Sequence, residues 1–219
     1  EIEKFAAYQR KLEALFPLVF ARCERQDFQG SFLLKWKGKS TKNPILLMSH
    51  QDVVQAEGDW RYPPFSGQIA EGAVWGRGTV DTKGSQFCFL QAAEELMEQG
   101  FVPETDVYLA GSCTEEWSGP GAAMTAAWLK EQGVHLSLLL DEGGMILKEP
   151  MAGVRGIYGM VGVVEKGYGD VRFVAKGTGG HASCPGKKTP WARLAAFVDE
   201  VERHDPFRSE YSPAVKEMF

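Results

Sequence analysis

The sequence predicts an α/β domain with buried, mainly parallel strands, followed from about residue 161 by the start of a smaller α+β unit. Between residues 31 and 140, apolar strand-like runs alternate with helical periodicities. The runs are apolar almost throughout, as strands covered on both faces are. Beyond about residue 160 the texture turns Gly-rich and short-ranged, with one clear helix.

In chain order, Ile2, Phe5, Ala6, Leu12, Leu15, Phe16, Val19 and Phe20 recur mostly at three or four, which predicts an amphipathic helix over 2–24. Pro17 should split it, since proline has no amide hydrogen to give. Residues 31–36 and 45–48 read as two strands across a polar turn at 37–43, expected to be adjacent. Residues 56–72, rich in Pro, Gly, Trp and Tyr, read as a long loop with aromatic anchors. A helix is expected over 84–99, closed by Gly100. A strand at 106–111, a helix at 120–132 ended by Gly133, and a short apolar strand at 136–140 complete a first domain of residues 1–160. In 161–219, residues 162–175 alternate, a Gly-rich segment holds His181, and a helix spans about 190–203. The strands that would complete a second sheet are not in this stretch.

With 219 residues, 44% hydrophobic and 11% aromatic, the chain can hold one large domain, or one domain and part of another. A net charge of -5 argues against a nucleic acid or an anionic membrane as partner. No apolar run approaches the roughly 20 residues that span a bilayer. The charged start, Glu1 to Lys4, does not read as a signal peptide. Cys23, Cys88, Cys113 and Cys184 are far apart and make no CxxC pair. They are expected to be reduced thiols in a cytoplasmic protein.

The candidate chemistry lies where strands end. Ser49-His50-Gln51-Asp52 follows one run, Thr114-Glu115-Glu116 another, and Asp141-Glu142-Gly143-Gly144 a third. In open α/β sheets the carboxyl ends of strands are where ligands bind. Gly76-Arg77-Gly78-Thr79-Val80-Asp81 delivers a further carboxylate from a constrained turn. One imidazole and several carboxylates suit zinc, which takes such N and O ligands, with cobalt or manganese as alternatives. His50 is the natural imidazole ligand, and Asp52 is placed to accept its other ring N–H. Asp81 alone would read as a helix cap. A bridging ligand explains better why a Gly-rich turn presents it. Of Glu115 and Glu116, one can bind metal while the other serves as base. Either Asp141 or Glu142 could add a ligand, and His181 could donate to a developing oxyanion.

Together these residues resemble the M20 family of metallopeptidases and aminoacylases, over about residues 45–203. Residues 49–54, Trp60 to Gly67 with its Pro-Pro-Phe-Ser-Gly, 76–81, 114–116 and 140–144 occur in that family's order and spacing. Within it, the chain looks most like the carboxypeptidase S and N-acyl-amino-acid hydrolase branch. The resemblance implies a zinc-peptidase-like catalytic domain and part of a lid that also mediates homodimerisation. It implies a zinc held by His50, Asp81 and Asp141, with Glu142 in reserve. Asp81 would bridge to a second zinc bound by Glu116. Glu115 would be the general base, Asp52 would support His50, and His181 would stabilise the tetrahedral intermediate, often in the partner subunit's site. The peptide bond after Asp81 would be cis. The expected reaction is hydrolysis of a peptide or N-acyl amide bond in a small peptide or N-acyl amino acid. The family's last histidine ligand has no counterpart here, so the chain reads as a fragment. The alternative is a catalytically incomplete relative that binds a ligand or partner.

Overall fold

The computed structural model describes residues 2–164, 167–184, 186–204, 206–208 and 210–218. The chain divides into two compact units, Glu1–Gly143 and Gly144–Phe219. The sequence division at 160/161 lies beyond this point, and the difference is the hairpin that opens the second unit.

The first unit begins with α1 (Ile2–Leu15) and α2 (Pro17–Arg22). Pro17 ends the first helix and opens the second, where its missing N–H costs nothing. The strands are β1 (Glu24–Phe28), β2 (Ser31–Trp36), β3 (Ile45–His50), the β4–β5 hairpin (Gln68–Ala70, Ala73–Trp75), β6 (Val107–Ser112) and β7 (Leu138–Leu140). Helices α3 (Lys83–Glu98) and α4 (Gly121–Glu131) lie between them in sequence. Five strands form one sheet in the order β1-β2-β6-β3-β7. The pairs β3–β6 and β3–β7 are parallel, and β1–β2 and β2–β6 antiparallel. Four of the five strands thus run in one direction and only β2 opposes them.

The expected neighbours β2 and β3 are not paired: β6 lies between them. The polar turn after β2 is therefore not a hairpin, and it carries the chain across a strand position. In this first unit three strands, β1, β4 and β5, have no counterpart in the sequence pattern. β1 is a mostly exposed edge strand of charged residues, and β4–β5 folds inside the expected loop.

Alternation along β2 and β6 separates two apolar layers. Phe32, Leu34, Trp36, Val107 and Leu109 pack with Leu12, Phe16 and Val19 of α1–α2 and with Leu90 and Met97 of α3. Leu33, Tyr108 and Ala110 face the other way, with Leu46 of β3 and Leu129 of α4. Helices on both faces explain why β6 is buried along its whole length. Leu90 is fully buried, and truncating such a side chain to alanine costs about 2–5 kcal/mol.

The second unit contains the antiparallel hairpin β8–β9 (Met145–Lys148, Ile157–Met160), α5 (Pro190–Arg203) and α6 (Pro213–Met218). Thr189 caps α5 by accepting from the Ala192 N–H, and Pro190 opens it. No residue of α5 is buried. Residues 162–175, which alternate in sequence, form no strand among the described residues. All four cysteines are free thiols. Among the described residues no helix is long and apolar enough to cross a membrane.

Candidate metal centre

Register brings the separated motifs together. β3 and β6 run parallel with His50 opposite Ser112, so the chain leaves both strands at one edge of the sheet. The first residue past β3 stays paired, its Gln51 N–H donating to Ser112 O at 2.6 Å. Beyond that, Glu116 N–H donates to Asp52 Oδ2 (3.0 Å) and Val54 N–H to Glu116 Oε1 (3.2 Å). β7 pairs with β3 up to Leu47–Leu140, which sends Asp141 and Glu142 out at the same edge. The Gly-rich turn then folds over this edge. Gly78 has φ +84°, and a Cβ there would meet Val53 Cγ1 at 2.7 Å, so only glycine allows the close approach. The Asp81–Thr82 peptide bond is cis, as the resemblance implies.

His50 is 1% exposed. Its Nδ1 lies 3.0 Å from the Asp52 main-chain oxygen, which assigns the proton of the neutral ring to that nitrogen. Nε2 then faces the acids: Asp81 Oδ1 at 2.8 Å, Glu142 Oε2 at 3.4 Å and Glu115 Oε2 at 3.9 Å. Ligand atoms of His50, Asp81 and Glu142 all lie within 4.8 Å of one another. A metal at about 2.0–2.2 Å from each N or O ligand sets those atoms roughly 3.4 Å apart, so the donor set and its spacing fit a divalent ion. The Asp81 side chain is itself exposed, whereas His50 is buried.

The same crowding shifts protons. Burial works against a charged His50 ring. The hydrogen bonds to Asp52 and Asp81 and the charges of Glu142 and Asp52 outweigh it and raise the pKa above 6.5. Burial pushes Glu142 up to about 7; His50 opposes this, and Asp81, Glu115 and Asp141 add to it. Glu115 is raised for the same kinds of reason, burial first, then Glu116, Asp52 and Asp81 against the pull of His50. Perturbed carboxylates gathered around one imidazole are a common mark of functional sites.

His50 and Asp81 meet as expected, with Glu115 beside them. Asp52 supports His50, but through its carbonyl oxygen. Its carboxylate Oδ1 is 3.6 Å from Nδ1, because the chain turns sharply after the strand. Of the Asp141–Glu142 pair it is the reserve, Glu142, whose carboxylate joins His50 and Asp81, while Asp141 Oδ1 accepts the Glu142 N–H at 2.8 Å. Glu116 lies outside the three-residue group, its carboxylate on Val54 N–H. His181 belongs to the second unit, exposed, with Nδ1 2.8 Å from Ser183 Oγ. The sequence reading passed over Gln51 and Lys83. Gln51 carried one usable signal: in an extended strand end its side chain points opposite to those of His50 and Asp52, away from the metal-binding groups.

Residues 46–218 match the model of Peptidase family M20/M25/M40. The chain is 39% identical over 204 residues to the human N-fatty-acyl-amino acid synthase/hydrolase PM20D1, covering 90% of this chain and 40% of that protein. It is 33% identical over 221 residues to the probable carboxypeptidase S-like 2 of Dictyostelium discoideum, covering 98% and 42% respectively. It therefore spans about 40% of the length of these curated relatives. The fold is shared with the M20 family metallo-carboxypeptidase Sso-CP2 from Sulfolobus solfataricus (TM-score 0.53, 20% identity, 64% of this chain and 32% of that one). It is shared also with human carnosine dipeptidase 1 (TM-score 0.51, 18% identity, 64% and 33%). The matched span holds every strand end and turn that converges on His50, and the chain belongs to peptidase family M20/M25/M40.

Proposed function

We propose that this chain carries the metal-binding part of a hydrolase that cleaves peptide or N-acyl amide bonds in small peptides or N-acyl amino acids. The observation that carries the reading is the convergence of His50 Nε2, Asp81 Oδ1 and a Glu142 carboxylate oxygen, with Glu115 alongside. His50, Asp81 and a carboxylate from the Asp141-Glu142 pair would hold a first zinc, and Asp81 with Glu116, once its carboxylate leaves Val54 N–H, would hold a second. Cobalt or manganese are the alternatives. A divalent metal bound there supplies Lewis acidity and a water acidic enough to be deprotonated near neutral pH.

The protein's own groups do the rest. The Asp52 carbonyl holds the His50 ring so that Nε2 points at the acids. Glu115, raised above an ordinary carboxylate, takes a proton from the attacking water and returns it to the leaving amine. His181 donates to the oxyanion from the second unit, by way of a partner subunit in a homodimer. Residues 1–160 are then the catalytic part and 161–219 the beginning of a lid. A cytoplasmic setting that keeps the four thiols reduced belongs to the same proposal.

Elemental analysis of the purified chain tests the reading. At least about one zinc per chain is expected, lost in His50→Ala and Asp81→Ala variants that keep their circular dichroism. A metal-free parent chain sinks it. In the whole protein, Glu115→Gln should abolish amide hydrolysis and leave the metal in place.

A further inference from the structure

Beneath the metal centre lies a buried polar brace that the chemistry above does not use. Gln51 sits between His50 and Asp52 and is 2% exposed. Its side-chain N–H groups donate to Gly30 O (3.1 Å) and Gly111 O (2.8 Å), and its Oε1 accepts from Gln9 Nε2 (2.9 Å). Its backbone oxygen accepts from Lys83 Nζ at 2.5 Å. Lys83 is the first residue of α3, two positions past Asp81, and it is half-buried. Its main-chain N–H donates to Gly78 O, and its ammonium lies 5.7 Å from the centre of the Tyr8 ring. One side chain therefore ties the turn that delivers Asp81 to the strand end that delivers His50.

Asp52 Oδ1, next to Gln51 in the chain, is buried without a hydrogen-bond donor among the described residues, so the carboxylate beside His50 depends on its backbone being held in place.

We infer that Lys83 is a positioning residue of the metal centre, locking the Asp81 turn against residues 50–52. It touches neither metal nor substrate. The inference rests on the metal-centre reading and adds a residue to it. Groups that orient metal ligands from behind typically change metal affinity by about 10–100-fold when removed.

The experiment is zinc competition against a chromophoric chelator, run on the unchanged chain, Lys83→Met and Lys83→Arg, with thermal melts of each in excess chelator. Lys83→Met should stay folded and bind zinc at least about tenfold more weakly. Lys83→Arg, which keeps the charge, should fall between it and the parent. A merely structural lysine would lower the metal-free melting temperature and leave affinity unmoved. If Lys83→Met does not fold, Lys83→Gln, smaller and still polar, takes its place with the same expectation. Affinity within twofold of the parent in a folded Met or Gln variant overturns the inference and spares the metal centre. No zinc on the parent chain overturns both.

Discussion

Two of the strand ends on one sheet edge, that of β3 with His50 and that of β7 followed by Asp141 and Glu142, are built in opposite ways. The end of β3 is buried: His50 is 1% and Gln51 2% exposed. Gln51 alone joins segments around Gly30, Gly111, Ser112, Gln9 and Lys83. The end of β7 is a sheet edge, where Leu138, Leu139 and Leu140 are 53%, 50% and 55% exposed. The histidine is thus preorganised, whereas the last carboxylate takes its position from a short, lightly packed strand. A rigid imidazole with one adjustable acid is a workable division of labour, since a carboxylate can rotate onto an ion at little cost.

Gln51→Leu removes the donor to Gly111 O inside the protein, and an unsatisfied buried polar group costs about 1–3 kcal/mol. Leu139→Ala removes a half-exposed side chain, and full burial of a leucine is worth only about 1.5–3 kcal/mol, so well under that is expected. Denaturant melts of the two variants compare them directly. Equal losses would break the distinction between the two strand ends.

A smaller effect separates Asp141 from Glu142. The resemblance puts the ligand at Asp141 with Glu142 in reserve, and the geometry brings Glu142 to His50. With Glu142→Gln, zinc affinity should fall about tenfold, near 1.4 kcal/mol, and with Asp141→Asn by less. The reverse order, read by chelator competition, would mean that the loop after β7 turns over when metal binds.

The smallest effect is a pH slope in the metal-free chain. Glu142 is raised from 4.5 to about 7, so between those values the native state holds a proton that the unfolded chain has released. Stability from this group therefore falls as pH rises through that window. The raised His50 acts in the same direction: its contribution is full below 6.5 and lost as pH climbs through its folded value. In chelator, the melting temperature should drop from pH 5.5 to 8, less steeply in Glu142→Gln. With zinc the sign should reverse, because ligands must shed protons to bind. A flat metal-free profile would mean that the acids at the two strand ends do not share a proton with His50.

Much of the site was legible before the fold. Each of His50, Asp81 and the Glu115-Glu116 pair follows a local signal, an apolar run that stops or a glycine-rich turn, and these patterns are properties of short segments. The helix break at Pro17 and the α5 start at Thr189-Pro190 are equally local. Other features depended on partners far away in sequence. β6 inserts between β2 and β3 because its two faces complete two different apolar layers, which no single segment encodes. The brace from Lys83 to Gln51 spans 32 positions, and Gln9 to Gln51 spans 42.

Periodicity, turn chemistry and ligand type are written residue by residue, so the α/β class, the family and the side chains chemically able to hold a metal are legible without the fold. Tertiary structure alone decided strand order, which of Asp141 and Glu142 faces His50, and what holds the His50 ring. Those choices turn on register: β7 pairing with β3 sets the phase of the next two residues, and a shift of one position exchanges one carboxylate for the other.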